Sequence, residues 1–103
     1  MSAMNCSLTI IAHRSLADEL IDHLLEHPEW VHGFSLTCVE GGSRREKLRS
    51  MIEQVRGRSQ GTQIVIVMNL DDARALIEHL KKKESNRDVA YWISPVLEFG
   101  WLA

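Results

Sequence analysis

The sequence predicts an α+β sandwich, one four-stranded antiparallel sheet with two helices packed on a single face. Three observations predict it. Runs of alternating apolar residues are separated by two stretches with apolar residues at helical spacing, and their order along the chain is βαββαβ. The chain has 103 residues, of which 45% are hydrophobic and 25% charged, so it builds one modest core and 1–103 is read as a single domain. Neither linker nor low-complexity tract interrupts the pattern.

Each element has its own signal. Residues 6–12 alternate, with Cys6, Leu8 and Ile10 on one side and Thr9 and Ile11 on the other, which predicts a strand. Ser15 is expected to cap the first helix, with Asp18 and Glu19 in its first turn and Leu16, Leu20, Ile21 and Leu24 as its apolar stripe. His27-Pro28 stops it. A second strand runs from Phe34 to Glu40, with Phe34, Leu36 and Cys38 sharing a face, and a third from Thr62 to Met68. Asp71 is expected to cap the second helix, since Ala73, Leu76, Ile77 and Leu80 recur at helical spacing before Lys81-Lys82-Lys83. The fourth strand is Val89 to Ile93. This order defines a split βαβ, ferredoxin-like sandwich, and right-handed crossovers leave it little topological freedom.

Composition excludes several classes of function. A net charge of −2 disfavours wholesale nucleic-acid binding, and no apolar run spans a bilayer. Two cysteines, Cys6 and Cys38, make no disulfide framework, and both fall among core-facing residues as packing thiols. With no secretory signal at the N-terminus, a cytoplasmic protein is expected. No Walker loop, nucleophile elbow or zinc-hydrolase motif is present, so no enzyme is expected. After strand one stands His13-Arg14-Ser15-Leu16, where an acylphosphatase-like anion cradle would need glycines. Strand three lacks the aromatic residues with which an RNA-binding sheet stacks bases.

Helices cover only one face of such a sheet. The other is expected to carry Thr9, Ile11, Thr37, Val39, Val65, Val67 and Trp92, a half-apolar surface where a monomer would be polar. A surface of that kind predicts self-association; the alternative reading is a register shifted by one residue, which would exchange the faces.

The connection from Gly41 to Gly61 is far longer than a hairpin needs. It holds Arg44, Arg45, Lys47, Arg49, Arg56 and Arg58 against Glu46 and Glu53, which puts +4 on this segment and −6 on the rest of the chain. A positive arm on an acidic body attracts anions, and Arg holds phosphate or carboxylate with two parallel hydrogen bonds. Gly41, Gly42 and Gly57 allow hinging. A third amphipathic helix also fits, because Ser43 and Glu46 form a capping box and Leu48, Met51, Ile52 and Val55 follow at helical spacing. By either reading, the candidate ligand- or partner-binding residues are Gly41, Gly42, Arg44, Arg45, Arg49, Arg56, Gly57 and Arg58.

His23 and His27 stand at i, i+4, which places both imidazoles on one side of a helix, and His32 follows closely. These three are the candidate metal ligands, with Glu29 nearby. Half-buried structural histidines are the alternative reading.

Glu53-Gln54-Val55-Arg56-Gly57-Arg58 leading into Ile64-Val65-Ile66-Val67, with Glu40-Gly41-Gly42 and Ile93-Ser94-Pro95-Val96, resembles the PII-like superfamily, which includes the nitrogen regulatory PII and CutA-like proteins. The chain is most similar to a small bacterial PII-like family associated with heavy-metal efflux systems. The resemblance spans nearly the whole chain. It implies a cytoplasmic homotrimer with clefts between subunits, with 41–61 standing where PII proteins carry the mobile T-loop that contacts partners. The chain departs from that pattern at the nucleotide site. Glu84-Ser85-Asn86-Arg87-Asp88 replaces a Gly-rich basic turn, the tail after Pro95 has no arginine, and Tyr91 is the only tyrosine, so the loop offers none for uridylylation. The expected function is regulatory: sensing a small anion or metal ion and signalling to a protein partner, for which a transporter is the candidate. The alternative is a metal-binding protein of heavy-metal tolerance. No cofactor is assigned.

Overall fold

The computed structural model describes residues 3–41, 59–83 and 89–103. Among them the order is β1 (Cys6–His13), α1 (Arg14–Leu25), β2 (Ser35–Gly41), β3 (Ser59–Met68), α2 (Leu70–Lys83) and β4 (Ala90–Pro95). The strands form one antiparallel sheet in the order β2-β3-β1-β4, as the split βαβ reading requires.

The register settles which residues share a face. Leu8 pairs with Ile66 and Ile93, and Ile10 with Ile64 and Tyr91. Cys6, Leu8, Ile10, Ala12, Ile64, Ile66 and Met68 are buried on the helix-covered side with Leu20 and Leu24 of α1 and Ala73, Leu76, Ile77 and Leu80 of α2. Two β-branched inner strands therefore meet two leucine-rich helix stripes, and removal of that apolar surface from water drives the sandwich together. Thr9 pairs with Val65 and Trp92, Ile11 with Gln63 and Ala90, Thr37 with Gln63, and Val39 with Gly61. The expected composition of the open face is confirmed.

Both helix starts differ from expectation, each for its own reason. β1 runs on to His13, whose extended backbone (φ −58°, ψ 144°) feeds α1 with no loop between them. His13 Nδ1 accepts from the Ser15 backbone N–H at 3.1 Å, so His13 is the N-cap and Ser15 lies inside the helix. Asp18 and Glu19 consequently fall beyond the first turn, which holds no acid. At α2, Asn69 Oδ1 accepts from Asp71 N–H at 2.9 Å, and Asn5 Oδ1 accepts from Leu70 N–H at 2.9 Å. Asp71 and Asp72 occupy the first turn, where the helix dipole favours them. A side chain from the segment before β1 thus completes the cap of a helix more than sixty residues away.

Strand ends also shift. β2 is Ser35–Gly41 in place of Phe34 to Glu40, β3 begins at Ser59 in place of Thr62, and β4 is Ala90–Pro95 in place of Val89 to Ile93. The β2–β3 ladder reaches Gly41 paired with Ser59, which leaves 42–58 as the connection. The third helix expected within it lies outside the described residues.

Candidate functional site

Of the candidate binding residues, Gly41 alone lies within the described part of the chain. It closes β2 opposite Ser59, at the root of the basic segment. Gly42, Arg44, Arg45, Arg49, Arg56, Gly57 and Arg58 lie outside it. Two ladder rungs back from the root, Gly61 meets Val39 on one side and His13 on the other. A Cβ on Gly61 would stand 3.1 Å from the Ala12 carbonyl oxygen and 3.4 Å from Val39 Cγ2. The strand carrying the segment is therefore held closely against its neighbours up to the point of departure.

The open face is concave at one end. Val65 and Val67, with Met4, His32, Phe34 and Trp101 among the walls, enclose a cavity of about 330 Å³ that opens to solvent. Trp101 reaches it from the C-terminal tail and meets Phe99 edge to face, with ring centroids 5.5 Å apart. Trp101 is nonetheless 82% exposed, and Trp92, on the same face, 46%. The alternation of β4 places Trp92 on this face, but gives no position for the tail that carries Trp101.

The edge strand β2 corrects one expectation. Leu36 and Cys38 pair with Ile64 and Thr62 and so share the helix-covered side of the sheet. Yet Leu36 is 49% exposed and Cys38 is an exposed free thiol. Among the described residues the helices pack chiefly over β1 and β3, and β2 is the edge strand, so the expected burial of Cys38 fails although its facing is right. Cys6 is buried as expected. Burial first, and the Asp72 charge second, push its thiol pKa up, and its Sγ–H donates to the Met68 carbonyl at 3.3 Å.

The three candidate metal ligands do not converge. His32 lines the open-face cavity, whereas His23 and His27 belong to the helical side. His23 Nδ1 lies 4.0 Å from Glu26 Oε2. His27 meets a residue the spacing did not suggest: its Nε2 lies 2.9 Å from Nε2 of His79, on α2. Its Nδ1 lies 2.8 Å from Glu29 Oε1. Trp30 stacks on His27 with centroids 4.9 Å apart and planes 22° from parallel. Burial first, then the neighbouring His27, hold the His79 pKa below its ordinary range, and the hydrogen bond from His27 holds the Glu29 carboxyl low. Among the described residues no group of three or more His, Cys, Asp or Glu is arranged to hold a metal ion. No helix among them is long and apolar enough to cross a membrane.

Over residues 2–103 the sequence matches the model of the family described as "Protein of unknown function (DUF3240)". The chain belongs to the DUF3240 family. A DUF3240 family protein from Shewanella baltica has a solved structure similar over 98% of this chain and 99% of that one, at 26% identity and a TM-score of 0.77. A chain described as a PII-like signalling protein, from Thermus thermophilus, is 16% identical with a TM-score of 0.64, covering 89% of this chain and 86% of that one. CPII, a nitrogen regulatory PII-like protein from Thiomonas intermedia solved with ADP, AMP and bicarbonate, is 15% identical with a TM-score of 0.67, covering 89% of each chain. No curated protein matches the sequence. At these identities the last two likenesses establish a shared architecture: this DUF3240 chain has the PII-like, ferredoxin-like fold.

Proposed function

We propose that this chain is a non-enzymatic, cytoplasmic PII-like regulator that binds a small anion or a metal ion and passes that state to a partner protein through residues 41–61. The observation that carries this reading is the placement of the basic segment. It departs from the tip of the β2–β3 ladder, at Gly41 and Ser59, with six basic residues against two acidic ones on a body of opposite sign. An anion or an acidic partner surface is attracted to such an arm, and arginines orient it by paired hydrogen bonds. The open face supports a homotrimer, since Ile11, Val39, Val65, Val67 and Trp92 form an apolar surface that association would cover. A transporter is the candidate partner. Bicarbonate and the adenine nucleotides bound by CPII are the first ligands to try.

The test is calorimetry with bicarbonate, ADP and AMP on the wild type and on the Arg56→Ala/Arg58→Ala double variant. Binding to the wild type should weaken at least tenfold in the variant, with little change in thermal midpoint. Equal binding by the two proteins, or none of the three ligands bound by the wild type, overturns the anion reading. The metal-tolerance reading, with His23, His27 and His32, has one structural observation in its favour: the contact of His27 with His79.

A further inference from the structure

His27 follows the end of α1, and His79 lies on α2, 52 positions later, yet their Nε2 atoms are 2.9 Å apart. Each imidazole nitrogen carries either a proton or a lone pair. Glu29 Oε1, 2.8 Å from His27 Nδ1, accepts a hydrogen bond and so keeps the proton of a neutral His27 on Nδ1. The His27 Nε2 lone pair then points at His79, and a single proton on His79 Nε2 holds the two rings together. The His27 ring is further fixed by stacking on Trp30, which also meets His79 edge to face at 6.0 Å. The turn presenting it is tied by backbone hydrogen bonds from Trp30 and Val31 to the His27 carbonyl, at 3.0 and 2.9 Å. Two nitrogens converging on one point, one of them oriented by a carboxylate on its far side, is how first-row metals are held by histidine.

We propose that His27 and His79 form a two-imidazole site for a divalent transition ion of the Zn²⁺/Cu²⁺ class, with Glu29 orienting His27 from the outer sphere. The ion takes the place of the shared proton: His79 gives up the proton on Nε2 and takes one from solvent on Nδ1, so both rings bind as neutral imidazoles. Metal–nitrogen bonds of about 2.0–2.1 Å place two tetrahedral ligand atoms roughly 3.3 Å apart, so the rings separate by only about 0.4 Å. Imidazole is a borderline ligand that suits Zn²⁺ and Cu²⁺ and not Mg²⁺ or Ca²⁺. Among the described residues no third ligand completes the set, so water fills the remaining positions and the ion exchanges. This is the behaviour of a sensor or carrier rather than of a closed structural zinc site. His32, on the opposite side of the sheet, takes no part. The site deepens the metal half of the regulatory reading and rests on it only for the consequence of binding. The ion itself binds whether or not residues 41–61 signal.

The experiment is calorimetry of tag-free protein with ZnCl₂ and CuCl₂, with MgCl₂ as control, on the wild type and on His27→Gln, His79→Gln, Glu29→Gln and His32→Gln. One ion per chain should bind the wild type. His27→Gln and His79→Gln should each weaken binding at least tenfold, Glu29→Gln should weaken it by a smaller factor, and His32→Gln should leave it unchanged. Long-range ¹H–¹⁵N spectra of the wild-type imidazoles provide a readout that needs no variant, because Zn²⁺ should shift the Nε2 resonances of His27 and His79 together. No Zn²⁺ or Cu²⁺ binding, binding that survives both substitutions, or shifts confined to other histidines would overturn the site. The Arg56/Arg58 measurement is untouched by these outcomes, so the two proposals fail separately.

Discussion

The two faces of one sheet follow the same period-two alternation and meet different fates. On the helix side, Leu8, Ile64 and Ile66 have no exposed surface at all. One residue along each strand, Ile11, Val65 and Val67 are apolar too, yet only half-buried, and Trp92 stands out from the sheet. The open face also carries Thr9, Thr37 and Gln63, but its apolar residues are of the same kinds as those of the core, so composition alone does not separate the faces. The difference is cover. The first face has α1 and α2, and the second has the edge of a C-terminal tail around one cavity. A half-apolar surface left half-covered among the described residues implies that something beyond them completes it, and a second copy is the occupant to test.

The largest expected effect tests this contrast directly. Leu8→Ala removes a fully buried side chain from the centre of the helix-covered core and should cost about 2–5 kcal/mol, read as a lower denaturant midpoint. Val65→Asp places a charge on the open face and should act on assembly instead. Light scattering should give the mass of one chain for the variant and of several for the wild type, while far-ultraviolet circular dichroism is retained. If the wild type is already monomeric at micromolar concentration, the open face needs no second copy and the contrast loses its explanation.

A smaller effect concerns a place where the open face is tightly packed. Gly61 faces the same way as Val65, two residues before Gln63, but a Cβ there meets the Ala12 carbonyl oxygen at 3.1 Å and side chains of Val39 and Ile11 beyond it. Backbone cannot give way as a side-chain tip can. Gly61→Val should therefore lower stability by about 1–3 kcal/mol, with Gly61→Ala falling below it, both read as shifts in chemical denaturation midpoint. A neutral Gly61→Val would mean that the ladder at the root of the basic segment is looser than its geometry.

Face assignment was legible in the sequence because alternation is a local signal: Cys6, Leu8, Ile10, Ile64 and Ile66 fall where period two puts them. The helix stripes were legible for the same reason. The caps were not. His13 and Asn69 displace Ser15 and Asp71 because strand runs into helix without a loop, and because Asn5 arrives from the other end of the fold. The meeting of His27 with His79 was equally hidden. The i, i+4 spacing of His23 and His27 is visible in the sequence, although α1 ends at Leu25 and leaves His27 beyond it, while His79 becomes a neighbour only once both helices lie on the same face. The cavity under Phe99 and Trp101 depends on where a tail without regular structure comes to rest, for which no periodicity exists.

The smallest effect separates facing from burial. Cys6 and Cys38 both point to the helix side of the sheet, one buried on the inner strand β1 and the other exposed on the edge strand β2. Only a thiolate reacts with alkylating reagents, and burial raises the Cys6 thiol while its Sγ–H is engaged by the Met68 carbonyl. In native buffer near pH 7.5, iodoacetamide should therefore label Cys38 alone, giving one adduct per chain by mass spectrometry. Cys6 should react only through openings that break the core, at a rate that rises in Leu8→Ala and not in a variant confined to the β2 edge, such as Leu36→Ser. Equal rates for the two thiols would place β1 and β2 in the same environment, contrary to the order β2-β3-β1-β4. Protection of both would show that a partner covers the β2 edge as well, and would extend the missing cover from the open face to the rim of the sheet.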